Sequence, residues 1–128
     1  MTAGLGRQRF AIVEDDPFMA ELVSDMLSSG GVDVSVFMLG EDLLKSDDLP
    51  NFKAVILDLS LPDICGFDLM DKLAADRLES AILLMSGHDI VTVRAAKIYG
   101  NGIGLNVRGA ITKPFTQAEL FAALGLPV

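Results

Sequence analysis

Three short, unbroken apolar runs constrain this chain more than any other feature: Phe10-Ala11-Ile12-Val13, Ala54-Val55-Ile56-Leu57 and Ala81-Ile82-Leu83-Leu84-Met85. They are far too short to span a membrane. They also lack the alternation of a strand with one wet face, so they suit strands covered on both sides. Between them the period changes. Met19, Leu22, Val23, Met26 and Leu27 recur at helical spacing and predict one apolar helix face, ended by Gly30-Gly31. Asp33 to Phe37 alternates with period two, as an edge strand does. A short helix is expected from Glu41 to about Asp47, closed by Pro50, and another through Leu69, Met70, Leu73 and Ala74. A helix is expected over Ile90 to Tyr99 and a last strand over Arg108 to Thr112. A final helix follows, with Thr116 and Glu119 as a capping box, and stops at Gly125. The segment from Gly100 to Val107 fits either a loop or an irregular continuation of the preceding helix.

Strand and helix thus alternate five times, the pattern of an α/β fold with a parallel sheet and helices on both faces. The expected strand order is 2-1-3-4-5, in one domain spanning residues 1–128. Net charge is -8, which disfavours nucleic acid and anionic membranes as partners and favours a protein surface or a cation. No run is long enough for membrane insertion, the N-terminus lacks the apolar stretch of a signal peptide, and the one cysteine excludes an internal disulfide. A cytoplasmic location is the expectation that follows.

The conspicuous polar residues fall at strand ends. Glu14, Asp15 and Asp16 follow the first strand, Asp58 the third, Ser86 the fourth and Lys113 the last. In a parallel sheet those ends share one edge, where ligands of open α/β sheets bind. Three adjacent acids need a reason: two full charges ~4 Å apart cost about 4 kcal/mol at an effective dielectric near 20. Clustered carboxylates in a crevice either protonate or bind a cation, and an all-oxygen set suits Mg²⁺. With a lysine and a hydroxyl beside them, the residues describe a Mg²⁺-assisted phosphoryl acceptor, because carboxylates are known to form aspartyl-phosphates.

Four motifs in order, Ile-Val-Glu-Asp-Asp-Pro, Leu-Asp-Leu-Ser-Leu-Pro-Asp-Ile-Cys-Gly, Met-Ser-Gly-His and Thr-Lys-Pro-Phe, resemble the response-regulator receiver domains of two-component signalling. The resemblance covers residues 8–125 and implies a CheY-like, flavodoxin-like fold. It implies that Asp58 accepts a phosphoryl group from a histidine kinase or phosphotransfer protein, and that a downstream effector or fused output domain reads the result. Asp15, Asp58 and the Ser60 backbone carbonyl would hold Mg²⁺, with Glu14 acting through water. Ser86 would hydrogen-bond the phosphoryl group and Lys113 would pair with it. The Lys113-Pro114 bond would be cis. Asp16, left over, precedes Pro17 and is read as the N-cap of the first helix.

Two positions depart from the family pattern. Ala110 stands where receivers usually carry Tyr or Phe, which bears on how a signal would be relayed, and the stretch from Ser86 to Lys113 is long. The sequence from Gly104 to Phe115 is similar to receivers that precede cyclic-di-GMP phosphodiesterase domains. Residues 100–107 and the adjoining helix are expected to form the output surface. His88 is read first as an exposed residue at a helix start; the resemblance implies that it and Ser60 flank the phosphoryl site, where they would tune dephosphorylation, while Cys65 is read as a small loop-packing residue.

Other readings fit less well. A phosphohydrolase of the dehalogenase type needs a second acid two residues after the nucleophile, where this chain has Ser60, so the expectation is a signalling domain rather than an enzyme. Nucleotide-binding folds need a phosphate-cradling loop after the first strand, where three acids would repel phosphate. A degenerate receiver serving only as an interaction module is the alternative, favoured by Ala110 and opposed by the intact acid, hydroxyl and lysine set.

Overall fold

The computed structural model describes residues 7–87 and 89–127. The elements run β1 (Arg9–Val13), α1 (Pro17–Ser29), β2 (Asp33–Phe37), α2 (Gly40–Lys45), a 3-10 turn (Leu49–Asn51), β3 (Ala54–Asp58), α3 (Gly66–Ala75), β4 (Ala81–Ser86), α4 (Ile90–Gly102), β5 (Asn106–Thr112) and α5 (Gln117–Leu124). All strand pairs are parallel, in the order β2-β1-β3-β4-β5. Fold class and strand order are therefore those expected from the sequence.

The unbroken apolar runs have a direct explanation. Successive side chains of a strand point to opposite faces, and both faces are covered. Ala11, Val13, Val55, Leu57, Ile82 and Leu84 pack with Leu69, Met70 and Leu73 of α3 and Ala96 of α4. Phe10, Ile12, Ala54, Ile56, Leu83 and Met85 pack with Val23 and Leu27 of α1 and Leu120 and Phe121 of α5. Each fully buried Leu or Ile contributes about 2 kcal/mol relative to exposure, so the two layers fix the sheet and hold its strand ends at one edge.

Several local expectations change. The face of α1 centres on Ala20, Val23 and Leu27, with Met19 and Met26 flanking it; Leu22 projects toward solvent. Pro50 does not close α2, which stops at Lys45; it sits within the 3-10 turn, whose first residues need no backbone N–H. Cys65 is exposed at the start of α3 rather than packed in the loop.

The segment over residues 100–107 is resolved as the end of a helix and the start of a strand. Helix α4 continues to Gly102, and within it Gly100 closely meets β5 and α3: a Cβ there would lie 2.6 Å from Val107 Cγ2 and 3.0 Å from Met70 Sδ. Gly104 turns the chain at φ +102, a conformation that favours glycine. Asn101 then pairs with Val107, its Oδ1 accepting from the Val107 N–H at 2.8 Å and its Nδ2 donating to the Val107 carbonyl at 3.1 Å. That side chain satisfies backbone groups of β5, which lies at the edge of the sheet among the described residues.

Candidate functional site

Strand β1 ends at Val13, and the Glu14 N–H still donates to the Phe37 carbonyl of β2 at 3.0 Å, so the Glu14 side chain is fixed at the sheet edge. Asp16, two residues on, caps α1: its Oδ1 accepts from the Phe18 N–H at 3.0 Å, and Pro17 opens the helix. The capping role expected for Asp16 is thus what the structure shows. Asp58 closes β3 in register with Met85 of β4, and Ser86 closes β4 in register with Thr112 of β5. Lys113 follows β5, anchored by its N–H to the Ser86 carbonyl at 2.8 Å, and the Lys113-Pro114 bond is cis.

From that anchor the Lys113 ammonium reaches back across the edge. It donates to Asp58 Oδ2 at 3.2 Å and to Glu14 Oε1. Asp58 Oδ1 accepts from the Ser60 N–H at 2.9 Å, and Glu14 Oε2 accepts from the Asp16 N–H at 3.1 Å. Carboxylate oxygens of Glu14, Asp15 and Asp58 all lie within 4.8 Å of one another. Glu14 and Asp58 are only 1% and 3% exposed, so this charge is held largely out of water. Asp15 is the most exposed of the three.

Three carboxylates around one ammonium leave an excess of negative charge. Burial pushes the Glu14 carboxyl up to about 7, with the Asp58 carboxylate adding to that and Lys113 opposing it. Burial works against the Lys113 ammonium as well, but Glu14 and Asp58 outweigh it and hold its pKa above the ordinary lysine value. The donor set is hard oxygen only, with no imidazole or thiolate, and a divalent cation such as Mg²⁺ or Ca²⁺ is the ligand it fits. A buried carboxylate beside an ammonium, next to an all-oxygen cluster that fits a cation, is chemically suited to receiving an anionic group.

Residues 10–125 match the response regulator receiver domain family. The chain belongs to that family. Among curated relatives, the cell cycle response regulator CtrA of Brucella ovis is 29% identical over 116 residues, covering 91% of this chain and 48% of that protein. The receiver therefore spans about half the length of the curated relatives it matches. Among solved structures, the BeF3-activated DrrB receiver domain is 29% identical with a TM-score of 0.74, covering 93% of this chain and 95% of that one. The non-phosphorylated HemR receiver domain from Leptospira biflexa is 25% identical with a TM-score of 0.78, covering 92% and 91%. Receivers of this family are modules of two-component signalling, and no helix of the described residues is long and apolar enough to cross a membrane.

In this receiver, Glu14, Asp15, Asp58 and Lys113 come together as one cluster. Ser60 sits beside Asp58 through its N–H, and Ser86 is buried at the neighbouring strand end. His88 lies outside the described residues. The direct pairing of Lys113 with Glu14 was not foreseen from the sequence. Neither was the part played by Asp63, whose Oδ1 accepts from the Gly40 N–H at 3.1 Å and whose Oδ2 accepts from the Glu41 N–H at 3.0 Å. A signal existed: α2 opens at Leu39-Gly40, with no capping side chain of its own, so its N–H groups had to be satisfied from elsewhere.

Proposed function

We propose that Asp58 is the phosphoacceptor of this receiver, charged by the phosphohistidine of a histidine kinase or phosphotransfer protein with Mg²⁺ as the cofactor. The observation that carries this reading is the Asp58 carboxylate itself. It is buried at the end of β3, held from two sides by Lys113 and the Ser60 N–H, and faces two further carboxylates. Asp15 and Asp58, with the Ser60 carbonyl, would hold the metal, and Glu14 would hold it through water. The bound metal supplies positive charge that offsets the carboxylates and the transferring phosphoryl oxygens. An Asp58 oxygen bonds to phosphorus as the donor's N–P bond breaks, giving an acyl phosphate. Lys113, already at Asp58, is placed to pair with the new phosphoryl oxygens. The Ser86 hydroxyl would hydrogen-bond the same group.

On this reading the chain is a single receiver unit acting in the cytoplasm, with autodephosphorylation as its only turnover. Its output is carried by a downstream effector or a fused domain. Intact-mass measurement after acetyl phosphate with Mg²⁺ tests the chemistry. One phosphoryl adduct is expected on the wild type and none on Asp58→Ala. A wild type that takes no adduct, or an Asp58→Ala variant that takes as much, overturns the reading.

A further inference from the structure

At the end of the sheet opposite the acidic cluster, strand β5 is irregular. It pairs Val107 with Ile82 of β4 and Gly109 with Leu83, so Arg108 is an extra residue with no partner across the ladder. Such a bulge interrupts the ladder, re-aims a side chain and is over-represented beside functional sites. Its effect shows in the neighbouring residues. Val107 and Ala110 pack against the layer that contains α3 and α4. A Cβ on Gly109 would instead lie 3.9 Å from Ala123 Cβ of α5, and a Cβ on Gly125 would lie 3.8 Å from Arg108 Nη2. Arg108 and Gly109 thus share the α5 side, where strict alternation would allow only one of them.

On that side Arg108 lines a cavity of about 340 Å³. Phe10, Ala54 and Ile82, all buried, give it an apolar floor, and the segment from Leu124 to Pro127 forms a wall. The wall is fixed, because the Gly125 and Leu126 N–H groups donate to the Ala122 and Phe121 carbonyls at 3.2 and 2.9 Å. Lys53 lines the same cavity. Its backbone is pinned between β1 and β4: the Lys53 N–H donates to the Arg9 carbonyl at 2.8 Å, and the Ala81 N–H donates to the Lys53 carbonyl at 3.1 Å. No carboxylate lines the cavity among the described residues. An adjoining hollow of about 210 Å³ shares both cations and includes Glu79, which pairs with neither. Arg7, Arg9, Lys72 and Lys113 all form ion pairs, whereas among the described residues Lys53 and Arg108 form none, in a chain with 18 acidic and 10 basic residues. An apolar floor with a few convergent polar groups is the usual make-up of a small-molecule site, and this volume lies at the low end of the range of ~300–1,000 Å³.

We propose that this cavity binds a small organic anion, its charged head on Arg108 and Lys53 and a short apolar body over Phe10, Ala54 and Ile82. A planar guanidinium matches the paired oxygens of a carboxylate or phosphate head. The net charge of -8 repels anions at long range, so a bare inorganic anion gains little here. Burial of the apolar body supplies the rest of the binding. The site lies at the opposite end of the strands from Asp58, and the inference stands apart from the phosphoacceptor reading.

Backbone amide shifts of the full chain, read by NMR during titration with hexanoate and with hexyl phosphate, test it. Inorganic phosphate at matched ionic strength supplies a head without a body, and hexanol a body without a charge. At least one of the two hexyl anions should shift the Ala54, Ile82, Arg108 and Gly125 amides along a single saturable curve, and the tighter of them names the head group. Phosphate and hexanol should each bind about tenfold more weakly or worse. Arg108→Gln should weaken the better anion about tenfold, and Arg108→Lys, which keeps the charge but not the fork, by less. Lys53→Gln should weaken it as well. An unchanged amide pattern away from the cavity shows that each variant is folded. No saturable shift with either hexyl anion overturns the assignment, as does equal binding of hexanol or of inorganic phosphate. Undiminished affinity in both Arg108→Gln and Lys53→Gln overturns it too.

Discussion

Asp15 and Asp16 are neighbours in the chain with opposite consequences. Asp16 accepts from the Phe18 N–H and starts a helix; Asp15 contributes an oxygen to the acidic cluster. Asn caps a helix about as well as Asp. Asp16→Asn should therefore leave Mg²⁺-dependent phosphorylation by acetyl phosphate largely intact, with stability changed by less than about 0.5 kcal/mol. Asp15→Asn should abolish the same adduct, and intact mass of the two variants side by side distinguishes them. The Asp16 cap was legible because Pro17 marks where the helix begins, while the assignment of Glu14 and Asp15 to the acidic site came from the resemblance to receiver domains. What the residues could not reveal is that Glu14 would be buried against Lys113: the two are far apart in sequence, and nothing local encodes their meeting. Only the register of β1, β3, β4 and β5 brings them together.

At the scale of elements, legibility depended on whether an element's limits are set locally. Helices α1 and α5 carry their own caps, Asp16 and Thr116 with Glu119, and their starts were read from the sequence. Near the end of α4 the residue choice is set by tertiary contact instead. Glycines normally argue against a helix, yet Gly100 is needed there because only a bare Cα clears Val107 and Met70. Gly100→Ala should thus destabilise the receiver by about 1–3 kcal/mol despite the better helix propensity of alanine, as a denaturant midpoint shift at unchanged slope would show.

Helix α2 is the other case, its cap being supplied by Asp63. Asp63→Ala should cost about 1 kcal/mol. Because the folded pKa of Asp63 is depressed by the Glu41 and Gly40 N–H groups, its contribution is full above the unfolded value of about 3.9 and is lost as pH falls through the lower, folded value. The stability gap between wild type and Asp63→Ala should be flat from neutral pH down to about 4 and close below it. A gap that widens as pH falls would contradict the assignment.

For the molecule as a whole, fold and site are two results of one arrangement. Two apolar layers hold five parallel strands with their C-terminal ends together, and the polar residues that end those strands meet because the strands do. That is why the parallel sheet with helices on both faces and the location of the site were readable from alternation and strand-end chemistry, while the electrostatics of the finished site were not. Packing places Glu14, Asp15 and Asp58 within 4.8 Å of one another, a repulsion of about 3 kcal/mol per pair at an effective dielectric near 20, and Lys113 offsets only part of it. A site kept for binding in this way lowers the stability of the unliganded protein. Asp58→Asn keeps an oxygen for the Ser60 N–H and leaves Glu14 paired with Lys113, but removes one charge. In EDTA it should melt about 3–5 °C above wild type, a gain of roughly 1 kcal/mol. Added Mg²⁺ should reverse the order: a cation that binds only the folded state stabilises by mass action, and the wild type retains the full set of carboxylates. Thermal melts of both proteins with EDTA and with millimolar Mg²⁺ give four midpoints. If the wild type is the more stable in EDTA, the crowded carboxylates are not strained against one another, and the electrostatic account of the site fails.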